Sequence, residues 1–108
     1  MVTEDIRAFV PHDSILDPGI ERAVRLLQKN NVLTYESCQG TPGHAFTEPT
    51  VLFHGNLAEA FAALSVCLFH ALPVWSLSQF WRMDYGVPTG PEWALVFREP
   101  LAPLNAQE

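Results

Sequence analysis

The chain has 108 residues, of which 48% are hydrophobic and 11% aromatic, and its 12 acidic and 6 basic residues give a net charge of −6. This length fits one domain with its own core, and the hydrophobic content excludes a disordered chain. The acidic balance argues against partners that are nucleic acids or anionic membrane surfaces, because both are bound through clustered Lys and Arg.

The chain opens with an irregular leader, predicted over residues 1–14, and a first helix, predicted over 18–30. Asp17 is the candidate N-cap of this helix, and Pro18 suits the first helical position. The pair NN at 30–31 tolerates the left-handed backbone that ends a helix. The apolar positions recur at helical spacing and predict the buried side: Ile20, Ala23, Val24 and Leu27.

The next elements are two strands, VLTYESC (32–38) and PTVLFH (49–54), joined by the loop QGTPGHAFTE. A second helix is predicted over 57–71, with Asn56 as N-cap and Glu59 completing a capping box. Pro73 ends this helical region. Its predicted apolar face consists of Leu57, Phe61, Leu64 and Leu68.

The last elements are a third strand, VWSLSQFWRM, a turn, DYGVPTG, and a fourth strand, PEWALVFR. The tail, 99–108, is broken by prolines and predicted to be irregular. The second half of the chain repeats the pattern of the first at an offset of 42 residues, so that Val32 corresponds to Val74 and Pro49 to Pro91. Each half also contains about ten predicted loop residues between its strands.

The order α-β-β-α-β-β predicts a single α+β domain over 1–108. We expect a two-layer sandwich with both helices on one face of a four-stranded antiparallel sheet. The most apolar strands, the second and the fourth, should be central. The strand order 3-4-2-1 achieves this and is a circular permutation of the ferredoxin-like arrangement.

Side chains alternate across a strand, so the two sheet faces can be predicted. Four residues of the first two strands should face the helices: Leu33, Tyr35, Val51 and Phe53. The open face should then carry Thr34, Glu36, Cys38, Leu52 and His54, together with Ser76, Ser78, Phe80, Arg82 and either Trp93 or Ala94. This face is too apolar to be merely solvated.

Three kinds of cover are possible for the open face. A second copy of the chain would form a homodimer, with Leu52, Phe80 and Trp93 as candidate anchors. The chain's own ends, 1–14 and 99–108, are a second candidate. A bound ligand is the third, and it is compatible with a dimer.

The stretch YESCQGTPGHAF (35–46) concentrates reactive residue types. Cys38, His44 and His54 are residue types that bind zinc, but they lack the close pairs that mark structural zinc sites. We therefore predict no metal and no cofactor. With no signal peptide and only two cysteines, we expect a cytoplasmic protein with reduced thiols and no membrane partner.

Two functional interpretations of this loop remain. In the enzymatic one, Cys38 is a nucleophile, His44 its base and Glu36 the residue that orients the imidazole. The backbone N–H groups of Gln39 and Gly40 would then bind an oxyanion. In the binding one, the loop forms a small pocket at the sheet edge; its ligand-binding residues are Gln39, Gly40, Gly43 and His54. A purely structural turn, stiffened by Pro42 and plugged by Phe46, is the simplest alternative.

The segments SCQGTPGHAFTEPTVLFHG and GPEWALVF together resemble a group of small uncharacterised bacterial proteins that carry an S-C-x-G…G-H-x-F…P-T pattern. The resemblance covers most of residues 15–98. It implies a compact single domain, and it brings no known activity.

The sequence as a whole favours a small cytoplasmic binding or protein-interaction domain, such as a dimeric regulator or an inhibitor of a larger partner, with a candidate ligand pocket at 36–48. The alternative is a small cysteine-dependent enzyme that uses Cys38 with His44. The expected partners are a second copy of the chain and a protein or small ligand.

Overall fold

The computed structural model of the chain describes residues 16–40 and 47–102. Its elements are α1 (Glu21–Lys29), β1 (Leu33–Cys38), β2 (Thr50–His54), α2 (Leu57–Phe69), β3 (Val74–Asp84) and β4 (Val87–Phe97). The strands form one antiparallel sheet in the order β1-β2-β4-β3. The predicted element order and strand order are confirmed, and the predicted leader lies outside the described residues.

The core lies between one face of the sheet and the two helices. Val51 and Phe53 of β2 and Leu95 and Phe97 of β4 are at most 1% exposed and share this face because they alternate along paired strands. They pack into one apolar cluster with both helices, which contribute Ala23, Val24, Leu27, Ala60, Ala63 and Cys67. The two-layer sandwich predicted from the sequence is therefore confirmed.

Trp93 belongs to this core and not to the open face. It is 4% exposed, and its indole Nε1 donates a hydrogen bond to the carbonyl oxygen of Gly55 at 2.8 Å. The next residue, Ala94, lies on the open face between Leu52 and Ser78. Trp93 is therefore wrong as a dimer anchor on that face.

The N-termini of the two helices differ. Asn56 forms the predicted capping box on α2: its Oδ1 accepts from the Glu59 N–H at 2.8 Å, and Glu59 Oε1 accepts from the Asn56 N–H at 2.7 Å. On α1 the N-cap is Ile20, without a side-chain cap, and Asp17 Oδ2 instead accepts from the Gln39 N–H at 3.2 Å. The prediction of Asp17 as a cap is wrong because its carboxylate ties the start of the helix to the end of β1.

The C-termini of the two helices are built alike. Asn31 and Ala71 have positive φ angles of 67° and 58°. In each case the following N–H bonds back across the last turn: Val32 to Leu27 O, and Leu72 to Cys67 O, both at 2.9 Å. This is the Schellman motif. The helix ends of the two halves therefore correspond at an offset of 40, from Asn31 to Ala71, whereas the predicted offset was 42.

Helix α2 buries its small side chains and exposes its large ones. Ala60, Ala63 and Cys67 are at most 1% exposed and face the sheet. By contrast, Leu57, Phe61 and Leu68 are between 54% and 58% exposed. The predicted apolar face of this helix is thus wrong as a core face at Leu57, Phe61 and Leu68, whereas Leu64 is partly buried against the core.

The segment predicted as a long turn is a tight hairpin. Strands β3 and β4 remain paired up to Asp84 and Val87, and the two residues between them, Tyr85 and Gly86, have positive φ angles of 52° and 80°. The hairpin extends past the end of β2, so this part of β4 has a partner on one side only. Pro88 is tolerated there because its missing N–H costs no sheet hydrogen bond.

The first residues of the predicted tail, 99–102, lack regular secondary structure, as expected, but they return to the core. Leu101 is 7% exposed, and its N–H donates to the Gly19 carbonyl at 2.7 Å. Neither helix in the described part of the chain is long and apolar enough to cross a membrane.

Candidate functional site

The open face of the sheet is shaped by a β-bulge in β1. Thr34 pairs with Phe53 and Glu36 pairs with Leu52, so Tyr35 is an extra residue without a partner in β2. The bulge turns Tyr35 to the open face. Thr34 stays on the helix side, where its hydroxyl accepts from Gln28 Nε2 at 3.3 Å. The predicted faces of Thr34 and Tyr35 are therefore reversed, because strict alternation fails at a bulge.

Three strands meet in a hydrogen-bonded cluster on this face. The Tyr35 hydroxyl of β1 donates to the carboxylate of Glu92 on β4. Arg82 of β3 donates from Nε to Glu92 Oε1 at 2.9 Å and from Nη2 to the Tyr35 hydroxyl at 2.9 Å. The Glu92 side chain is only 8% exposed. A buried carboxylate is thus paired with one cation and one hydroxyl, as burial of a charge requires.

The cluster fixes the protonation states of its members. Burial favours the neutral form of Glu92, but hydrogen bonds from Tyr35 and Arg82 outweigh it and hold the pKa of Glu92 below its ordinary value. Burial and the bond to Glu92 raise the pKa of Tyr35 to about 12. The bonds to Tyr35 and Glu92 raise the pKa of Arg82 above its ordinary value. At neutral pH the cluster therefore holds a carboxylate, a phenol and a guanidinium.

Arg82 presents a half-exposed guanidinium at a fixed place. Its Cζ lies 5.2 Å from the ring centroid of Tyr35 and 5.9 Å from that of Phe80, both within the range of a cation–π contact. Glu36 Oε1 lies 3.6 Å from Arg82 Nη2, and both side chains are more than 40% exposed. His54 stacks on the Tyr35 ring with centroids 4.4 Å apart. Arg82 is thus held from one side by the cluster and open on the other.

A shallow depression of about 370 Å³ lies beside this guanidinium. The strand register places Glu36, Leu52, Ala94 and Ser78 in one row across all four strands. The two short side chains in this row leave the space, and the depression is lined by Glu36, Leu52, Ser78, Phe80, Arg82 and Ala94. Its volume falls in the range of small-molecule sites.

Glu36 and Cys38 lie on the same face, as predicted, because they pair with Leu52 and Thr50. Cys38 is 6% exposed, and its Sγ accepts the Gly40 N–H at 3.4 Å. The N–H of Gln39 donates to Asp17. The two N–H groups expected to bind an oxyanion are therefore both engaged within the chain.

Two other predicted site residues, Gly43 and His44, lie outside the described residues. The gathering of Glu36, Cys38 and His44 around one pocket therefore stays a prediction. His54 lies far from Cys38 on this face: Cys38 pairs with the first residue of β2, and His54 is the last. Four residues of extended strand span roughly 13 Å, which is the separation along β2 between the partner of Cys38 and His54.

Tyr35, Arg82 and Glu92 form a hydrogen-bonded cluster on the open face, and the sequence interpretation singled out none of them as site residues. Arg82 was placed on the correct face. A glutamate inside the apolar strand PEWALVF was the available signal, since a buried acid needs a partner. Its partners lie 10 and 57 residues away in sequence, so only the sheet register identifies them.

Within residues 16–40 and 47–102, no group of three or more His, Cys, Asp or Glu side chains is arranged to hold a metal ion. The chain matches no protein-family model, no curated protein and no solved structure.

Proposed function

We propose that this chain is a small binding domain whose ligand site is the depression on the open sheet face. The observation that carries the proposal is the half-exposed Arg82 guanidinium, held by Tyr35 and Glu92 beside a cavity of about 370 Å³. A charged group that is already fixed in place loses little entropy when it binds a ligand. A cytoplasmic location belongs to this proposal and is supported by Cys38 and Cys67, which are both free thiols.

The lining defines the chemical class of the ligand. Leu52, Phe80 and Ala94 form an apolar floor, and Glu36 and Arg82 place opposite charges at one end. The 3.6 Å contact between these two exposed charges is a weak pair that a ligand can open. A small zwitterion with an apolar group fits this arrangement: its carboxylate would pair with Arg82 and its ammonium with Glu36.

The charge of the site supports a zwitterion over a simple anion. Arg82 is in contact with two carboxylates, Glu36 and Glu92, and the whole chain carries −6. A ligand that carries only a carboxylate would place its negative charge near that of Glu36, with no positive group to pair with this glutamate. Free α-amino acids with aliphatic or aromatic side chains are the simplest members of the proposed class.

The proposal is tested by titrating ¹⁵N-labelled protein with L-phenylalanine, phenylacetate and phenethylamine, and following amide shifts. L-phenylalanine should bind at millimolar concentration and shift Leu52, Ser78 and Ala94. The two single-charge analogues should bind about tenfold more weakly, which corresponds to about 1.4 kcal/mol. Equal binding of all three compounds, or no shifts at these positions, contradicts the proposal.

A matched pair of variants assigns the effect to the site. Glu36→Gln removes the carboxylate expected to hold the ammonium, and it should weaken L-phenylalanine binding about tenfold. Glu21→Gln removes a comparable exposed carboxylate, which also lies 3.6 Å from an arginine but on α1. Glu21→Gln should leave binding unchanged.

The cysteine-dependent enzyme remains the alternative from the sequence. Among the described residues, no observation favours it over the binding domain, because Cys38 is buried and the neighbouring N–H groups are engaged.

A further inference from the structure

The outer side of α2 carries an apolar stripe that the described residues leave open. The stripe consists of Leu57, Phe61, Leu64 and Leu68. Three of its members are more than half exposed, and Leu64 is partly buried against the core. Apolar groups of this size and continuity on a folded chain mark an interaction surface.

The position of the stripe is set by the two helices and the sheet. Helix α1 packs against β1, and α2 packs against both α1 and β3. Glu59 and Ala62 of α2 line one depression with residues 30–33, which follow α1, so the stripe lies on the other side of α2 from the end of α1. It is therefore accessible to another molecule without any movement of the two-layer core.

We propose that the stripe is a homodimer interface in which α2 packs antiparallel against α2 of a second copy. The spacing of the stripe is 4-3-4, which is the same in both directions along the helix. A two-fold axis between Phe61 and Leu64 places Leu57 against Leu68 of the second copy and Phe61 against Leu64 of the second copy. In such an isologous contact, both copies contribute the same surface patch.

The spacing also matches the geometry of helix pairs. Apolar residues at alternating intervals of four and three form the seam of helices that cross at about 20°. Helix α2 has 13 residues, so the contact is roughly 20 Å long. A helix pair requires apolar residues at this spacing, on a helix of this length and on its exposed side. Helix α2 meets all three requirements, and an ordinary solvated helix surface does not.

Charge favours a second copy at this place. Each molecule carries −6, so two copies repel each other wherever their carboxylates approach. Helix α2 contains one charged residue, Glu59, and its carboxylate is engaged in the capping box with Asn56. The stripe itself is uncharged, so two acidic molecules can meet there without burying an unpaired charge.

The exposed area of the stripe is one part of what a dimer needs. Phe61 is 54% exposed, and at 150–250 Å² per aromatic side chain it offers roughly 80–135 Å² per copy. A stable interface buries about 800 Å² per partner. The exposed leucines of the stripe and the surface of β3 beside it supply further area.

This interface differs from the one predicted from the sequence, which lay on the open sheet face. Of the three anchors predicted there, Trp93 is in the core and Leu52 is 5% exposed, so only Phe80 remains available. A dimer through α2 leaves the open face accessible. The inference therefore does not rest on the proposed ligand site.

The test is sedimentation equilibrium of the full chain and of four variants over a wide range of concentration. The wild-type chain should sediment at twice its 12.1 kDa mass. Phe61→Glu places two like charges near the two-fold axis, and Leu68→Glu places a carboxylate against Leu57 of the second copy. Each should raise the dissociation constant of the dimer at least about 100-fold. Both residues are more than half exposed, so the monomers should stay folded, which circular dichroism checks.

Ala62→Glu is the matched control. It adds the same charge to an exposed position of the same helix, away from the stripe, and should leave the dimer intact. A wild-type chain that is monomeric at high micromolar concentration overturns the inference, and the stripe is then covered by the chain's own ends or by a different protein. A dimer that survives both stripe substitutions but is lost in Phe80→Glu also overturns it and returns the interface to the open face.

Discussion

At the scale of single residues, Glu92 has the most demanding position in this chain. Its carboxylate is buried between strands and depends on Tyr35 and Arg82 for compensation. Removing one partner of such a group is costly, since the other is left buried with unsatisfied polar atoms. The same three residues hold the guanidinium at the proposed ligand site, so stability and binding share one cluster.

We expect Glu92→Gln to lower the free energy of unfolding at pH 7 by about 1–3 kcal/mol. The pKa of Glu92 is lowered in the folded state from an ordinary value of 4.5. Its contribution is therefore fully present above pH 4.5 and is lost as the pH falls through the folded-state pKa. Urea unfolding of both proteins at pH 7 and at pH 3 measures this, and the difference should shrink at the lower pH.

The control for that comparison is Glu21→Gln, which removes an exposed carboxylate from an i,i+4 pair and should change stability by no more than about 0.5 kcal/mol. A Glu92→Gln difference that is equal at both pH values contradicts the assigned ionisation of Glu92.

The two cysteines should resist alkylation in the folded protein. Cys67 is fully buried, and burial raises its pKa to about 12, so almost no thiolate exists at pH 8. Cys38 is 6% exposed, and access to it is restricted. Mass spectrometry after treatment with iodoacetamide should show slow modification of both thiols, and fast modification of both in urea. Rapid alkylation of Cys38 in the folded state would revive the enzymatic alternative.

At the scale of elements, the connections are set by a few backbone positions. Gly40, at the end of β1, has φ 81°, and a Cβ at this position would lie 2.4 Å from the Glu48 carbonyl carbon. Gly86, in the β3–β4 hairpin, has φ 80° and no atom within 4 Å of such a Cβ. The two glycines have nearly the same positive φ, and their surroundings differ.

Gly40→Ala and Gly86→Ala therefore separate backbone strain from steric contact. Gly86→Ala should cost about 1–2 kcal/mol, the strain of a left-handed non-glycine residue. Gly40→Ala should cost at least about 2 kcal/mol more, because the β1–β2 connection must also move apart. Thermal unfolding of both variants measures the difference. Equal costs would mean that the approach of Gly40 to Glu48 is looser than described.

The capping box of α2 gives a second prediction for an element. Asn56→Ala removes the acceptor for the Glu59 N–H and should destabilise the chain by about 1 kcal/mol. Asn56→Ser keeps an acceptor at the same position and should cost much less. Chemical denaturation compares the two variants, and an equally large loss for serine would contradict the capping role.

At the scale of the whole molecule, the two layers leave two surfaces with different chemistry. The open sheet face combines charges with an apolar depression, and the outer side of α2 is apolar and uncharged along its stripe. Residues 16–40 and 47–102 leave both surfaces without a covering element. We assign a small ligand to the first and a second copy of the chain to the second.

Dimerisation predicts a melting temperature that depends on protein concentration. A hundredfold increase in concentration is worth about 2.7 kcal/mol per dimer, so the melting temperature of the wild-type chain should rise by about 5–10 °C. Phe61→Glu should show no such rise, and Ala62→Glu should behave like the wild-type chain. Differential scanning calorimetry at several concentrations measures this. A wild-type melting temperature that does not change would count against the dimer.

The sequence by itself determined the elements, their order and the arrangement of the sheet. Local signals were sufficient for this, because the cap at Asn56, the pair NN at 30–31 and the apolar strands each depend on neighbouring residues. The same alternation placed Glu36, Cys38 and Arg82 on the correct face. It failed at Tyr35, since a bulge depends on how two strands are aligned and not on the residue types of one strand.

Only the tertiary structure decided which face of α2 is buried and which polar residues meet. The large residues of α2 had the spacing of a core face, but the structure buries Ala60, Ala63 and Cys67 and leaves Leu57, Phe61 and Leu68 more than half exposed. The cluster of Tyr35, Arg82 and Glu92 joins three strands through pairs up to 57 residues apart. Hydrophobic spacing shows only which residues are apolar and how often they recur. The space around a residue and its distant partners depend on how the whole chain packs.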